Sequence, residues 1–353
     1  MNILIVRLSS IGDVVHTLPV LSSLRHTFLK DKIGWIVEDL SAPLLEDHPM
    51  IDHLFVIPKK RWRGKFFKYL FSEIIPFYKN LRNTHWDVAI DLQGLSKSGI
   101  TTFLSGAKLR IGFGGEESRE INRFFINKQF TPPKDENHIV KRNLSLLNPL
   151  GIKNPRPEFP FNIKRESEIW TETYFKELGW QDKSFIIINI GGGWETKRLS
   201  VEVLAETGYK LAKESSKNLF FVWGPGEEEL TKRIAQILKE KREINWKIAP
   251  ATNLQQLLSI IKRSYLFLGG DTGPTHIAGG LGIPVISFYG ASDSRRNGPY
   301  SEKALVIQKF EFDCVPCWKT KCIFRDKRML QCLRSISPED FVEKAGQLLK
   351  ESI

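Results

Sequence analysis

The first residue that could do chemistry is Asp13, which ends the motif RLSSIGD, residues 7–13, directly after a strand-like segment. A turn of small residues at the carboxyl end of a strand is a common position for a phosphate or a substrate. A carboxylate there could accept a proton from an acceptor hydroxyl as a general base. A helix cap is the alternative, because Asp is also favoured at helix N-termini. The motif is not a G-x-G-x-x-G, so dinucleotide binding has no direct support.

A glycine-rich turn after a later strand-like segment is the second candidate for ligand binding. Its sequence is GGGWETKR, residues 191–198. Glycines let the backbone approach a ligand closely, and free amides at such a turn favour a phosphate. Lys197 would add a point charge to that phosphate. A plain strand-to-helix turn is the alternative.

The most specific motif is LGGDTGPTHIAGGLGIP, residues 268–284. It predicts a strand, a Gly-Gly-Asp-Thr-Gly loop and a helix with Pro274 near its first turn. The N-terminus of such a helix suits a diphosphate. Asp271 could fix the loop or bind a ribose hydroxyl, and His276 could reach a phosphate oxygen. Taken alone, His276 would more often be a core residue, but the combination favours a ligand site.

Four cysteines stand close together late in the chain, as Cys314-x2-Cys317-x4-Cys322-x9-Cys332. This spacing could supply four thiolates to a structural zinc ion. Disulfides are disfavoured in a cytoplasmic protein, so a set of redox-inert free thiols is the alternative. The spacing leaves that choice open.

Short β-branched runs alternate with amphipathic stretches in the first half of the chain, as in βαβ units. Strands are predicted at residues 3–7, 33–37, 53–57 and 86–91. Helices are predicted at residues 18–28 and 66–83, the second interrupted by Pro76. This pattern predicts a doubly wound domain with a parallel sheet.

The same alternation resumes after residues 153–161, a proline-rich stretch typical of an interdomain linker. Strands are predicted at residues 185–190, 219–223, 266–269 and 284–289. Helices are predicted at residues 201–214, 227–241 and 254–264. Two Rossmann-like sheets in one chain would place a ligand cleft between the carboxyl ends of their strands.

The composition is that of an ordinary globular chain, with 41% hydrophobic and 26% charged residues, and excludes a fibrous or disordered protein. A length of 353 residues favours two domains. The longest apolar runs are strand-sized, far below the roughly 20 residues of a membrane span. The first residues show no signal-peptide pattern. We therefore expect a cytoplasmic protein that does not cross a bilayer.

The net charge of +12 favours anionic partners. The segment KKRWRGKFFK, residues 59–68, has six basic and no acidic residues. Its mixture of basic and aromatic side chains suits an anionic membrane surface, and we expect peripheral attachment to the inner leaflet. A solvated charged face is the alternative. A nucleic-acid-binding protein is a weaker one, because no reader motif is present and the late glycine loop would stay unexplained.

Together, RLSSIGDVVHTLPVL near the start and GGDTGPTHIAGGLGIPVISFYG near the end strongly resemble the ADP-heptose:lipopolysaccharide heptosyltransferases, inverting glycosyltransferases of family nine. The resemblance extends through most of the chain. It implies an α/β protein with the GT-B fold, in which two Rossmann-like domains with parallel sheets face a central cleft. We expect an acceptor-binding domain at residues 1–155 and a nucleotide-sugar-binding domain at residues 156–353. The last helix is a candidate to pack back on the first domain.

The resemblance also implies roles for individual residues. Asp13 matches the family's proposed general base. The residues that match or flank the family's nucleotide-sugar contacts are Thr196, Lys197, Glu227, Asp271, Thr272, Gly273 and His276. Glu227 is carried over although the segment WGPGE, residues 223–227, spaces it differently.

Within the family, heptosyltransferase I is the closer match. Its basic acceptor-side segment resembles KRWR, residues 60–63, which is followed here by DLQGLSKS, residues 91–98. The implied acceptor-binding residues are Ser10, Gly12, Lys60, Arg61, Arg63, Gln93, Lys97, Arg119 and His138. They would grip the phosphates and carboxylates of a Kdo-bearing lipid A. Heptosyltransferase II or another later core heptosyltransferase is the alternative, because the family shares both outer motifs.

The implied reaction is a single displacement that moves L-glycero-D-manno-heptose from ADP-heptose to Kdo-lipid A with inversion. No Asp-x-Asp element is present in the sequence, and we expect transfer without a metal ion or other cofactor. Lys197, His276 and the helix start at Thr272 would then meet the charge on the leaving diphosphate. An epimerase, or a transferase of another nucleotide sugar, is the alternative within the same fold.

Overall fold

A computed structural model describes residues 1–241 and 243–350 of the chain. The chain divides into two compact units, Met1–Asn162 and Ile163–Ile353. Each unit is built on one six-stranded parallel sheet with helices in the connections, which makes both units Rossmann-like. Among the described residues, no helix combines the length and the apolar character that a bilayer crossing requires.

The first unit has the strand order β3-β2-β1-β4-β5-β6. Its strands are β1 Asn2–Val6, β2 Lys32–Glu38, β3 His53–Ile57, β4 Val88–Asp91, β5 Leu109–Phe113 and β6 Lys128–Phe130. The chain winds to one side of β1 and then returns to place β4 on its other side. The loops that follow β1 and β4 therefore diverge, and such a switch point leaves a crevice at the carboxyl ends of the strands.

The helices of the first unit fill the connections between these strands. They are α1 Ile11–Val15, α2 Leu18–Thr27, α3 Lys59–Trp62, α4 Phe66–Tyr69, α5 Ile75–Asn83, α6 Ser96–Leu104 and α7 Ile139–Ser145. The predicted helix at residues 66–83 is interrupted by a π-helical turn at Leu70–Ile74, not at Pro76. Pro76 lies in the first turn of α5, where a missing N–H costs no intrahelical hydrogen bond.

The second unit has the strand order β12-β11-β10-β7-β8-β9. Its strands are β7 Phe185–Asn189, β8 Asn218–Val222, β9 Trp246–Ile248, β10 Leu266–Gly270, β11 Val285–Tyr289 and β12 Ala304–Gln308. Here the winding reverses between β7 and β10. The loops after β7 and β10, which carry the two glycine-rich motifs, therefore meet at the switch point of this sheet.

The helices of the second unit are α8 Arg165–Glu177, α9 Val201–Ser215, α10 Glu228–Lys239, α11 Leu254–Arg263, α12 Gly273–Gly280, α13 Ser294–Asn297, α14 Gln331–Arg334 and α15 Pro338–Lys350. α15 packs on α9, β11 and β12 and adds Phe341, Ala345 and Leu348 to the core of this unit. The expected contact of this helix with the first domain stays a prediction. All five residues of β7 are buried, as expected of a strand covered on both faces.

Candidate active site

Asp13 lies at the switch point of the first sheet, in the first turn of α1. Its Oδ2 accepts hydrogen bonds from the backbone N–H of Ser10 at 3.0 Å and from the Ser10 hydroxyl at 2.9 Å. Ser10 is the N-cap of α1, so the two residues form a capping box. The cap and the catalytic role, which were alternatives for Asp13 in the sequence, are therefore compatible in one geometry.

A buried arginine fixes the other oxygen of this carboxylate. Arg7 Nη2 lies 2.5 Å from Asp13 Oδ1, and Arg7 Nη1 donates to the carbonyl oxygen of Leu92. The side chain of Arg7 is 8% exposed, whereas that of Asp13 is 39% exposed. Arg7 thus fixes the Asp13 carboxylate from the buried side, and the carboxylate stays partly exposed to solvent. A positioned, accessible carboxylate of this kind suits a general base.

Asp91 ends β4 and shapes the loop that faces Asp13. It is fully buried and accepts hydrogen bonds at 2.7 to 3.1 Å from Gln93, Gly94, Ser98 and Asn122. Burial raises the pKa of Asp91, although these hydrogen bonds oppose the rise. Gln93 Oε1 in turn accepts a hydrogen bond at 3.1 Å from the backbone N–H of Leu8. Gln93 therefore joins the β4 loop to the Asp13 loop.

Two lysines and one glutamate form a charged cluster beside these loops. Lys97 Nζ lies 2.7 Å from Glu38 Oε1 and 3.1 Å from Ser9 Oγ. Lys59 Nζ lies 2.6 Å from Glu38 Oε2. Burial alone would raise the pKa of Glu38, but the hydrogen bonds and charges of the two lysines hold it below its usual value. The cluster keeps a net positive charge next to the loop that carries Asp13, which suits an anionic acceptor.

The remaining predicted acceptor residues lie around these loops to different degrees. Gly12 is buried within α1, and His138 caps α7 with its ring edge-on to His16, the C-cap residue of α1, at a centroid distance of 5.9 Å. Arg119 has an exposed side chain and is joined by its backbone N–H to the carbonyl oxygen of Gly94.

The basic segment stands apart from the Asp13 loop. Lys60 and Arg61 lie on α3 and Arg63 follows it, all three exposed. Arg61 is paired with Glu73 and stacks on the ring of Tyr69 at 5.1 Å. The connection to the site runs through Lys59, the first residue of α3, by its bond to Glu38.

Asp271 is the centre of a buried polar network in the second unit. Its Oδ2 lies 2.6 Å from Lys197 Nζ and accepts a hydrogen bond from Ser292 Oγ at 2.5 Å, and its Oδ1 lies 3.1 Å from His276 Nε2. Burial alone would raise the pKa of Asp271, but the hydrogen bonds and charges of His276 and Lys197 hold it well below its usual value. Lys197 also lies 4.4 Å from the centroid of the Trp194 ring. The two motifs are therefore joined by their charged residues.

Close backbone contact holds these loops together. Thr196 Oγ1 donates to the carbonyl oxygen of Lys319 at 2.5 Å, and the carbonyl oxygen of Thr196 would lie 2.7 Å from a Cβ placed on Gly290. Only a glycine at position 290 lets the carbonyl oxygen of Thr196 come this close. Thr272 is the N-cap of α12, and its Oγ1 accepts a hydrogen bond at 3.0 Å from Asn189 at the end of β7.

α12 begins at Gly273, directly after its N-cap residue Thr272. Its eight residues therefore open at the switch point, where the backbone N–H of Gly273 and the helix dipole can meet an anion; Pro274 has no N–H. His276 lies in the first turn and is buried. The helix start, Lys197 and Asp271 thus occupy one face of the loops after β7 and β10.

A comparison with protein families decides the class of this site. The model of glycosyltransferase family 9 (heptosyltransferase) matches residues 74–327, which is more than half of the chain. The chain belongs to glycosyltransferase family 9. It is therefore a glycosyltransferase of the lipopolysaccharide heptosyltransferase family, as the resemblance of the two outer motifs implied.

Characterised members of family 9 match the chain along most of its length. It is 26% identical over 310 residues to lipopolysaccharide core heptosyltransferase OpsX of Haemophilus influenzae, covering 88% of this chain and 85% of the relative. It is 26% identical over 333 residues to lipopolysaccharide heptosyltransferase 1 of Pseudomonas aeruginosa, with 92% and 88% covered. It is also 26% identical over 351 residues to lipopolysaccharide heptosyltransferase 3 of Escherichia coli, with 96% of each covered.

Solved structures of the family confirm the GT-B fold. A glycosyltransferase family 9 protein from Veillonella parvula superposes with a TM-score of 0.83 at 22% identity, covering 99% of this chain and 97% of that one. E. coli heptosyltransferase WaaC with ADP gives a TM-score of 0.77 at 23% identity, with 99% and 100% covered. At these identities the likeness concerns the fold.

The resemblance to the family implied that Glu227 contacts the donor. In the structure, the side chain of Glu227 bonds the glycine-rich turn. Its carboxylate accepts hydrogen bonds from the backbone N–H groups of Gly192 at 2.9 Å and Gly224 at 2.8 Å. A Cβ on Gly191 would lie 1.8 Å from that carboxylate. Glu227 therefore holds the glycine turn in shape, and its contact with a donor stays a prediction.

The zinc site considered for the four cysteines is not supported. Within residues 1–241 and 243–350, no group of three or more His, Cys, Asp or Glu side chains is arranged to hold a metal ion. The four cysteines are free and partly buried. Burial and the neighbouring cysteines raise the pKa of Cys332 to about 11, which favours the protonated thiol at neutral pH.

The sequence did not single out Arg7, Glu38, Asn189 or Ser292, which support the predicted residues. Arg7 and Asn189 follow or end a buried strand at a switch point, and that position was a usable signal. Glu38 ends β2 and contacts residues far away in the chain. Ser292 reaches Asp271 from 21 residues away, so its role depends on the fold.

Proposed function

We propose that this protein is heptosyltransferase I, which transfers L-glycero-D-manno-heptose from ADP-heptose to the Kdo-lipid A inner core. The observation that carries the proposal is Asp13, an accessible carboxylate fixed by Arg7 beside the positively charged cluster of Lys59, Lys97 and Glu38. An acceptor hydroxyl on an anionic glycolipid needs both a base and a cationic surface. Relatives named lipopolysaccharide heptosyltransferase 1 support this choice.

The donor side of the proposal is supported by the second unit. Lys197 and the N-terminus of α12 offer positive charge to a diphosphate, and Asp271 orients Lys197 at 2.6 Å. Structural neighbours of the same fold were solved with ADP and with ADP-2-deoxy-2-fluoro heptose. We therefore assign nucleotide-sugar binding to the second unit, through Thr196, Lys197, Asp271, Thr272, Gly273 and His276.

In the proposed reaction, Asp13 accepts the proton of the acceptor hydroxyl while that oxygen attacks the anomeric carbon. The bond from the anomeric carbon to the diphosphate oxygen breaks on the opposite face, and ADP leaves, so the configuration inverts. Lys197, His276 and the start of α12 at Thr272 and Gly273 meet the charge on the diphosphate. Because protein groups can supply this charge, we infer that transfer needs no metal ion.

The first unit would bind the acceptor and attach to the membrane. Lys97 and Gln93 touch the loop of Asp13, and Lys60, Arg61, Arg63, Arg119 and His138 would contact the phosphates and carboxylates of the Kdo-lipid A headgroup. The side chain of Phe71, next to the basic segment, is 78% exposed. Aromatic and basic side chains together suit the anionic inner face of the cytoplasmic membrane, where this lipid is modified.

A later core heptosyltransferase is the second candidate. It is favoured by the similarity to lipopolysaccharide heptosyltransferase 3 of Escherichia coli, which extends over 96% of each chain.

The proposed function is tested by ADP release from ADP-heptose, with Kdo-lipid A or a heptosylated core as acceptor and with or without EDTA. We expect release that requires Kdo-lipid A, persists in EDTA and leaves an inverted glycosidic bond. Turnover only with the heptosylated core would move the protein to a later step. Inertness with ADP-heptose and turnover of another nucleotide sugar would overturn the donor assignment.

A further inference from the structure

A cleft of about 660 Å³ opens within the first unit, next to the Asp13 loop. One wall is a face of α6, formed by Lys97, Ile100, Thr101 and Leu104. Residues spaced three and four apart share one side of a helix, so this face is continuous. Protein interiors rarely leave voids larger than a water molecule, and pockets that bind small molecules measure about 300 to 1,000 Å³.

The opposite wall is the π-helical turn together with α5. Leu70, Ile74, Ile75 and Tyr78 face the cleft from this side. The extra residue of a π-helical turn shifts the helix face, and such turns are frequent at functional sites. Here the turn brings Leu70 and Ile74 onto the same side as the apolar residues of α5. The result is a slot between two helices with aliphatic walls.

The polar atoms in the walls already have partners. Tyr78 Oη and Thr101 Oγ1 lie 3.1 Å apart, and Trp62 Nε1 donates to Glu73 at 2.9 Å. Glu38 is held by its two lysines. A polar ligand inside the slot would find few free hydrogen-bonding groups among these described wall residues and would lose its own hydration. The slot therefore fits an apolar ligand.

The mouth of the slot, at the start of α6, is cationic and leads to the candidate active site. Lys97 lies at this end, whereas Arg82 lies toward the other end of α6, where its Nε would be 3.1 Å from a Cβ placed on Gly106. Lys97 also bonds Ser9, and Leu8 lines the slot, so the slot and the Asp13 loop share residues. A ligand with an apolar chain and an anionic head would match both the walls and the mouth.

We propose that this slot binds one acyl chain of the glycolipid acceptor and so positions its sugar headgroup at Asp13. The proposal rests on the proposed function, because it takes the acceptor to be an acylated, phosphorylated saccharide. The chain contributes affinity for each methylene that enters the slot, about fourfold per methylene, until the slot is full. The headgroup phosphates remain at Lys97, at the mouth next to the Asp13 loop.

A binding experiment tests the slot without requiring sugar transfer. The probes are glucosamine 1-phosphates with one amide-linked chain of four to sixteen carbons, brominated at the chain end and used below their micelle concentrations. We expect quenching of Trp62 fluorescence, identified by its loss in Trp62→Phe. Affinity rises with chain length and then reaches a plateau. Affinity that rises without a plateau, or no quenching of Trp62, would overturn the proposal, because either result describes adsorption outside the slot.

A kinetic experiment connects the slot to the acceptor. Leu104→Trp fills the slot, and Phe103→Trp adds the same ring at a neighbouring position of α6 that is 52% exposed and outside the lining. We expect Leu104→Trp to raise the KM for an acylated Kdo-lipid A about tenfold or more, and to leave the KM for its fully deacylated headgroup within about twofold. Phe103→Trp changes neither. Ile100→Trp, at the rim, serves if Leu104→Trp does not fold.

The outcomes separate this proposal from the proposed function. Plateaued quenching without transfer to any Kdo-lipid A would leave the slot a lipid site and would overturn both the acceptor and its positioning. Transfer with equal KM changes for acylated and deacylated acceptors would overturn the slot alone. Loss of binding to phosphatidylglycerol vesicles in Leu104→Trp, with an unchanged acyl preference in transfer, would assign the slot to a membrane phospholipid and also overturn the proposal.

Discussion

Asp13 and Asp271 occupy corresponding places in the two units, each in a loop at the switch point of a parallel sheet, yet their surroundings differ. The side chain of Asp13 is 39% exposed and is held by Arg7 and Ser10. The side chain of Asp271 is 6% exposed and lies between Lys197, His276 and Ser292. The first carboxylate is open to a reacting group, whereas the second is saturated with partners.

This difference separates two uses of one residue type. A carboxylate that must take up a proton needs access to the substrate and a fixed direction, and Arg7 with Ser10 supplies the direction to Asp13. A carboxylate that organises a diphosphate site needs permanent charge, and burial among cationic and hydroxyl partners gives that to Asp271. Substitutions should therefore affect turnover at one site and stability at the other.

The largest effect on stability is expected from Asp271→Asn. The change leaves the partly buried Lys197 without its anion, and breaking a buried ion pair costs up to about 3 to 5 kcal/mol of unfolding free energy. Denaturant unfolding measures the loss. Asp182→Asn is the matched control, since its pair with Arg263 is exposed and contributes about 0 to 1 kcal/mol. Equal losses in the two variants would show that Asp271 is not an organising charge.

A smaller effect is expected in the pH dependence of the unfolding free energy. The folded-state pKa of Asp271 lies well below the value of about 3.9 for an unfolded chain, so its stabilisation is complete above that value. As the pH falls below about 4, the stability advantage of the wild type over Asp271→Asn should shrink by about 1.4 kcal/mol per pH unit. Chemical denaturation from pH 7 to pH 3 measures it. A difference that is independent of pH would contradict the assignment.

A third effect concerns the residue that directs Asp13. Arg7→Lys keeps the charge but loses the forked contact with Asp13 and Leu92, so we expect kcat to fall about 10- to 100-fold at unchanged acceptor KM. Steady-state kinetics separate the two parameters. Arg25→Lys, which alters an arginine paired with Asp52 in the same unit, should leave kcat within about twofold. A full kcat in Arg7→Lys would show that Asp13 needs no positioning.

Much of the fold could be predicted from the sequence because the central strands are strongly patterned. β7 and β10 are apolar and buried on both faces, and their boundaries lie within one residue of the predicted ones. β5, β6, β9 and β12 were not predicted. The last three are edges of their sheets, are partly exposed, and include polar residues such as those of Lys128–Phe130. β5 lies inside its sheet, but its first two residues, Leu109 and Arg110, are only partly buried. Partly exposed strands carry a weaker apolar signal than strands buried on two faces.

The candidate site likewise contains residues that a local motif predicts and residues that only the fold brings together. Asp13, Lys197 and Asp271 stand in local motifs, and the structure joins the last two directly. Glu38 stands in no motif, because its function is to hold Lys97, which is 59 residues away along the chain. The acyl slot also depends on a π-helical turn that the helical pattern of residues 66–83 does not reveal. Contacts between residues far apart in the chain, and irregular helical turns, could therefore not be predicted from the sequence.

The most direct test of Asp13 as the general base is the turnover of Asp13→Asn with saturating ADP-heptose and Kdo-lipid A. Loss of the base should lower kcat about 10²- to 10⁴-fold, with an unchanged KM for ADP-heptose and a folded protein by circular dichroism. Asp31→Asn, which removes a partly exposed carboxylate of the same unit, is the control and should retain wild-type turnover. An undiminished kcat in Asp13→Asn would contradict the assignment and leave Asp13 as a helix cap alone.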